Sequence, residues 1–370
     1  MKIGFFTETF LPQTNGVVTS IESFGEELVK RGHEVHIYCP KTNIGMHKGM
    51  IIHSKPSIPF LPYPEFKIGI PVGKVEKLDM VHTHGPFLMG NYGLWVARRQ
   101  KIPKVSTFHT LLSEYVKYLS PAGFGQGALK KIAWKYCFLH YNRYDRVITP
   151  SRVVKEMLEI DRPITVIPTG VDIKLFQPQD REKSREKLGL TAEKTYLCLG
   201  RLSFEKNIDV VIKAAKWIVD GDAQIVVVGR GPAMESLQKM VKHMKLGTKV
   251  LFPGYVSELD KIKYYSAADA FITASTSETQ GIVVLEAMAC GCPVIGANSL
   301  AIPEFVKNGK NGFLFKPGDA RDLANVVTDF KYTKAMARRA LETAGRYSVE
   351  NCTTKLEKFY DETLKSSKKK

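Results

Sequence analysis

Short apolar runs alternate along the chain with longer stretches in which apolar residues return at helical spacing, separated by glycine-bearing loops. Residues 2 to 7 read as a strand, about Val17 to Arg31 as a helix with Gly32 as its C-cap, and Val35 to Cys39 as the next strand. Helices near Pro71 to Leu78, Leu88 to Arg99 and Gly127 to Arg146 then alternate with strands at Met80 to Thr83, Lys104 to Phe108 and Val147 to Thr149, with Ser151 as an N-cap. A second series has strands at Thr195 to Gly200, Gln224 to Val228, Val250 to Pro253, Ala270 to Ala274, Pro293 to Ile295 and Gly312 to Phe315. Its helices lie near Ile208 to Val219, Ala233 to Met244, Leu259 to Ser266 and after Gly281, with a short turn at Ala301 to Phe305 and a helical tail from Asp319 to about Lys365. Strand, loop, helix, strand repeated in this way is the rhythm of a parallel, doubly wound sheet, here run twice in an α/β protein.

The stretch Thr165 to Asp172, T-V-I-P-T-G-V-D, ends a strand with Pro and Gly, and the boundary is placed there. The domains are then 1–168 and 169–349, with a C-terminal helix of about 350–370 packing back on the first. Residues 55 to 73 break the rhythm, because Pro56, Pro59, Pro62, Pro64 and Pro71 among aromatics exclude a central strand or a long helix. They read as an irregular packed loop or as an apolar mouth for an acceptor.

A length of 370 residues and 44% hydrophobic content suit two cores. There is no run of 18 apolar residues, and M-K-I-G-F-F-T-E reads as a first strand, not a signal peptide. Six cysteines without a C-x-x-C pair predict reduced thiols in the cytosol. The formal net charge of +17 asks for an anionic partner: nucleic acid, membrane or phosphorylated substrate. The basic residues are scattered, with no zinc-finger spacing, basic zipper or RNA-binding aromatic motif, which speaks against nucleic acid. Within Gly127 to Arg146, Lys130, Lys131 and Lys135 interleave with Trp134 and other aromatics. That suits an anionic bilayer surface, or an amphipathic helix with its aromatics turned to the core.

The chemistry concentrates in S-E-T-Q-G-I-V-V-L-E-A-M-A, Ser277 to Ala289. A strand, a turn and a helix opened by Gly281 make an anion site from the first amides, near Ile282 and Val283. Glu278 in the loop and Glu286 in the helix would repel phosphate and suit hydroxyl groups, unless they are an ordinary loop and helix Glu. Arg201 and Lys206, in the loop after the first strand of the second series, fall on the same sheet edge and could neutralise a diphosphate without a metal. Gly16, at the first helix start, would let a phosphate approach. His82 reads as a core histidine, whereas His84 and His109 lie just past strand ends, on the ligand-facing edge. Asp220-Gly221-Asp222 falls on the opposite edge and reads as a turn, so no metal site is assigned, and G-R-G-P is not a dinucleotide fingerprint.

With I-G-F-F-T-E-T-F-L-P-Q-T-N-G-V-V, H-T-H-G-P-F, S-T-F-H-T, I-P-T-G-V-D, G-R-L-S-F-E-K-N and the acid pair of Ser277 to Ala289 in this order, nearly the whole chain resembles the retaining GT-B glycosyltransferases of family 4. E-T-Q-G and T-F-H-T-L-L-S-E-Y are most similar to the bacterial diacylglycerol glucosyltransferases. The resemblance implies two Rossmann-like domains facing a central cleft, with no cofactor and a UDP-sugar, UDP-glucose foremost, as donor. It implies that Arg201 and Lys206 hold the diphosphate with Gly16, that Glu286 binds the ribose, and that Glu278 binds the sugar with amides near Gly281 and Ile282. His109 would sit at the reacting centre, and backbone near Tyr255 and Val256 would meet the base. The implied acceptor is a lipid such as 1,2-diacylglycerol, on the inner face of the cell membrane. A soluble acceptor would use the same donor residues, and a UDP-sugar epimerase is the alternative of another class.

Overall fold

The computed structural model describes residues 1–60, 63–109, 111, 126–218 and 222–367. It divides into two compact units, Met1–Gly170 with Val349–Lys370, and Val171–Ser348. The changeover at Gly170 falls inside the stretch T-V-I-P-T-G-V-D.

In chain order the strands of the first unit are β1 (Lys2–Phe6), β2 (Glu34–Pro40), β3 (Met46–His47), β4 (Met50–Lys55), β5 (Ser57–Phe60), β6 (Tyr63–Gly69), β7 (Met80–Thr83), β8 (Lys104–Thr107), β9 (Arg146–Thr149) and β10 (Ile164–Val166). Eight of them form a sheet in the order β10-β9-β8-β7-β1-β2-β4-β3, parallel except for the β3–β4 pair. Strands β1 and β7 are buried without alternation, β7 even at His82 and Thr83, because helices cover both faces of the sheet. Phe6 stacks on Tyr38 at 4.6 Å, and Met89, Tyr92 and Val96 of helix Leu88–Gln100 pack over them. Helix Gly16–Lys30 starts at Asn15, whose Oδ1 accepts the amides of Val17 and Val18 at 3.0 and 3.1 Å. The last helix, Val349–Ser367, belongs to this unit. Arg31 reaches Glu357 at 2.5 Å and the Glu350 carbonyl at 2.8 Å, and the Tyr360 hydroxyl meets His82 Nδ1 at 2.6 Å.

The second unit contains β11 (Lys194–Leu199), β12 (Ala223–Val228), β13 (Val250–Gly254), β14 (Ala270–Thr273), β15 (Val294–Ala297) and β16 (Gly312–Phe315). They form one parallel sheet in the order β13-β12-β11-β14-β15-β16. Helix Ile208–Ile218 buries Val211, Ile212 and Ala215 in the same core as Ile225, Val227, Ile272 and Ile295. Strand order reverses between β1 and β7 in the first unit and between β11 and β14 in the second. At such a reversal the loops leaving the strands diverge and open a crevice.

Several expectations change. Residues 71–79 form no helix: their amides are taken by groups elsewhere, Glu76 by the Tyr38 hydroxyl, Leu78 by Gln100 Oε1 and Asp79 by the Lys2 carbonyl. The proline-rich stretch is not irregular, because β5 and β6 pair antiparallel outside the main sheet. The helix expected to reach Arg146 ends at Tyr141, since Asp145 is tied to Lys104 and Arg146 opens β9. Ser151 occupies the N-cap position of helix Arg152–Met157 but its hydroxyl makes no capping bond. The tail is three helices, Ala320–Asp329, Lys334–Arg346 and Val349–Ser367, the second started by Thr333, whose Oγ1 accepts the Met336 amide. Strand β4 and helix Arg181–Leu188 were not anticipated. Asp220 and Gly221 of the D-x-D, Val219, Lys368 to Lys370 and most of T-F-H-T-L-L-S-E-Y beyond His109 lie outside the described residues.

Candidate active site

In the second unit the loops after β11 and β14 leave neighbouring strands at the point of reversal. Asn207, left-handed at φ 49°, ties them together: its Nδ2 donates to the Ala274 carbonyl at 3.2 Å and to Thr276 Oγ1 at 3.0 Å. The tie places the turn Phe204–Lys206 beside Glu278, where Lys206 Nζ and Glu278 Oε1 form a short ion pair. The two side chains keep 32% and 13% of their exposure. Arg201 is part-buried on the same loop, and burial lowers its pKa from the ordinary value while Glu205 opposes the shift. A guanidinium stays charged under such a shift, and with less water around it attracts an anion more strongly.

Gly281 opens helix Ile282–Ala289 in a left-handed conformation, φ 83°, that L side chains rarely adopt. A Cβ there would also stand 3.0 Å from Ile302 Cδ1. The first turn closes with Val284 N–H donating to the Gly281 carbonyl at 2.9 Å, so the amides of Ile282 and Val283 precede the first intrahelical bond. Glu286 is buried, and the Tyr265 hydroxyl donates to its Oε2 at 3.0 Å. Burial raises the Glu286 pKa, against the pull of Lys261 and the Tyr265 bond. The glycines of G-R-G-P serve backbone packing: Leu202 N–H donates to Arg230 O at 3.0 Å, and a Cβ on Gly231 would run into the Leu202 backbone. Tyr255, 61% exposed, and Val256 follow the edge strand β13, two strands from β11.

In the first unit the loops after β8, β7 and β1 carry His109, His84 and Glu8 on adjacent strands. His82 is a core histidine, held at 2.6 Å by Tyr360 and at 2.7 Å by Thr107, and burial pushes its pKa down to about 3. His84 Nδ1 and His109 Nε2 are hydrogen-bonded at 3.0 Å, and burial pushes His109 to about 3 and His84 well below its ordinary value. Both rings are therefore neutral at pH 7 and offer one donor and one acceptor each. Glu8 accepts the Met89 amide at the start of helix Leu88–Gln100, and burial raises its carboxyl to about 7. Gly16 follows the cap residue Asn15 on the β1 loop.

On helix Gln126–Tyr141, Lys130, Lys131 and Lys135 are exposed together with Ile132 at 63% and Leu139 at 56%. Trp134 is not part of that exposed face: it is part-buried and stacks on Phe108. The Tyr136 hydroxyl donates to the Pro86 carbonyl, and Cys137, His140 and Tyr141 are buried. Among the described residues no helix is long and apolar enough to cross a membrane.

Two family profiles divide the sequence as the fold does. "Glycosyltransferase Family 4" matches residues 14–175 and "Glycosyl transferases group 1" matches 180–346. An alpha-monoglucosyldiacylglycerol synthase from Streptococcus pneumoniae is 33% identical over 99% of this chain and 87% of its own. The chain belongs to the family 4 glycosyltransferases. It has the GT-B fold and is a hexosyltransferase. A second alpha-monoglucosyldiacylglycerol synthase, from Acholeplasma laidlawii, is 28% identical over 100% of this chain and 99% of its own. The crystal structure of Anabaena HepE in complex with UDP-glucose has the same fold, with a TM-score of 0.75 at 21% identity over 98% of this chain and 100% of that one.

As a family 4 enzyme, this chain collects Arg201, Lys206, Glu278, Gly281, Ile282, Val283 and Glu286 on one edge of a single sheet, with Tyr255 and Val256 farther along that edge. Gly16 and His109 lie on the corresponding edge of the other sheet. Asn207, Tyr265, Glu8 and Asn15 were not anticipated. Asn15 was readable as an N-cap type one residue before the helix. Asn207 stands just before helix Ile208–Ile218, where an amide side chain can tie a loop down. Tyr265 carried no signal, because its partner is 21 residues away on another helix.

Proposed function

We propose that this hexosyltransferase moves glucose from UDP-glucose to 1,2-diacylglycerol at an anionic membrane surface, without a metal or cofactor and with the anomeric configuration retained. The observation that carries the reading is the similarity over 99% of the chain to a protein named alpha-monoglucosyldiacylglycerol synthase. UDP-glucose carries an α-linked sugar, so an α-linked product requires retention.

In this reading Arg201 and Lys206 stabilise the charge that grows on the departing diphosphate, a contact of this kind contributing roughly 3 kcal/mol. A lysine has three donors, so Lys206 can keep its bond to Glu278 and still reach a phosphate oxygen. Glu278, oriented by Lys206, accepts from the sugar hydroxyls, and the amides of Gly281, Ile282 and Val283 face the anion. Glu286 takes the ribose hydroxyls, backbone at Tyr255 and Val256 meets the base, and Gly16 gives a backbone contact. His109, neutral, is assigned to the sugar at the reacting centre. The acceptor hydroxyl attacks from the leaving-group side, its proton passes to a phosphate oxygen, and no protein nucleophile is used. The exposed Lys130, Lys131 and Lys135 beside Ile132 and Leu139 support docking on anionic lipid at the inner face of the cell membrane.

A screen of UDP-glucose and GDP-mannose against soluble sugars and diacylglycerol in neutral or anionic vesicles, with chelator present, tests the proposal. Glucosyl-diacylglycerol should form from UDP-glucose, fastest on anionic vesicles at low salt. Transfer only to a soluble sugar, or no transfer until a divalent ion is restored, would count against it.

A further inference from the structure

Tyr265 lies on helix Glu258–Ala267 and is fully buried. Its ring is held edge-on against Phe271 at 5.8 Å and Phe176 at 6.4 Å, which fixes where its hydroxyl points. That hydroxyl meets Glu286 Oε2 at 3.0 Å across 21 residues of sequence. We infer that Tyr265 is a positioning residue for donor binding: its O–H orients the Glu286 carboxylate and keeps it an acceptor, leaving its remaining lone pairs for the ribose diol. The inference rests on the assignment of Glu286 to ribose hydroxyls in the proposed function.

The physical case has two parts. A buried carboxylate with one fixed hydrogen bond loses little further freedom when a ligand binds. A hydrogen bond to the charged form also favours that form, and here it works with Lys261 against burial and against Glu258; the Cys290 thiol at the end of the same helix also neighbours Glu286, and Cys290 and Cys292 neighbour Tyr265. Tyr265 itself stays a proton donor, because burial raises its own ionisation well above the ordinary range. Removing the phenol oxygen therefore frees the carboxylate to turn and lets it take up a proton more readily.

Calorimetric titration of the full chain with UDP and with 2′,3′-dideoxy-UDP tests this. Tyr265→Phe should weaken UDP about tenfold at pH 7, the effect of one hydrogen bond to a charged group. The loss should be absent with 2′,3′-dideoxy-UDP and should shrink as pH rises and the carboxylate is restored. Glu286→Gln should weaken UDP with the same ribose dependence, and Tyr196→Phe, a buried tyrosine on β11, should change neither nucleotide. If Tyr265→Phe does not fold, Phe176→Leu, which loosens the support of the Tyr265 ring and keeps its hydroxyl, should weaken UDP and spare the dideoxy nucleotide, and an unchanged preference for UDP in that variant would count against the inference. A ribose-dependent loss in Glu286→Gln but none in Tyr265→Phe would overturn this inference alone. An equal loss for both nucleotides in Tyr265→Phe would overturn it in favour of a packing role. No loss in Glu286→Gln would remove the ribose assignment and this inference with it.

Discussion

Breaking the Lys206–Glu278 pair should cost both stability and transfer, by amounts its exposure sets. Fully exposed pairs contribute about 0.2–1 kcal/mol, and removing one partner of a buried pair costs about 3–5 kcal/mol. With side chains 32% and 13% exposed, this pair lies between those limits, nearer the lower because Lys206 still reaches water. A double-mutant cycle of Lys206→Met, Glu278→Gln and both together should give a coupling energy of about 1.5 kcal/mol by urea unfolding at low salt. Each single variant should also lower kcat/KM at least about 100-fold, since in the proposed function each residue contacts the donor. The double variant should lose far less than the product of the two if the paired residues act on one sugar diphosphate as a unit. A coupling within about 0.3 kcal/mol of zero, or single variants with near-normal turnover, would refute the idea that the pair is a working part of the site.

Arg201→Lys keeps a charge but loses the fork, so kcat should fall at least about tenfold with vesicle binding unchanged; unchanged turnover would remove its assignment. Gly281→Ala forces φ 83° on an L residue and crowds Ile302, so urea unfolding should show about 1–2 kcal/mol of lost stability, and no loss would show that the turn relaxes. Stability of the first unit should fall with acid. His82, His109 and His140 are held at about 3 in the fold and titrate near 6.5 when unfolded, so from pH 6.5 down to about 3 the unfolded chain binds protons that the fold refuses. Each can contribute up to about 1.4 kcal/mol per pH unit, with Glu8 acting in the opposite sense between its ordinary value and about 7. The urea midpoint should therefore be lower at pH 5.5 than at pH 7.5, and an equal or higher one would contradict the buried neutral histidines.

Much of the fold was legible because most of its strands are buried on both faces. Ile225, Val226, Val227 and Val228, or Ala270, Phe271 and Ile272, are short continuous apolar runs of the kind that a covered parallel sheet produces. The acid pair was legible for a local reason: strand, left-handed glycine and helix follow one another within the 20 residues from Ala270 to Ala289 and carry Glu278 and Glu286 with them. What failed lacked a local signal. Helix Arg181–Leu188 buries only Ser184, so it has no apolar stripe to detect, although Asp180 and Gly189 cap it in the ordinary way. Residues 71–79 looked helical but spend their amides on Tyr38, Gln100 and Lys2, partners that only the tertiary fold supplies. The order of the strands, which makes Arg201 and Glu278 neighbours, likewise comes from the sheet and not from any one stretch.

In the proposed function, fixed cations and helix-start amides hold the diphosphate of a sugar nucleotide at the reversal between β11 and β14. A crystal structure with UDP bound, grown with chelator present, tests it most directly. Diphosphate oxygens should lie within about 3 Å of the Arg201 guanidinium and the Lys206 ammonium, with the ribose on Glu286. A diphosphate bound elsewhere on the protein, or no binding until a divalent ion is added, would contradict it.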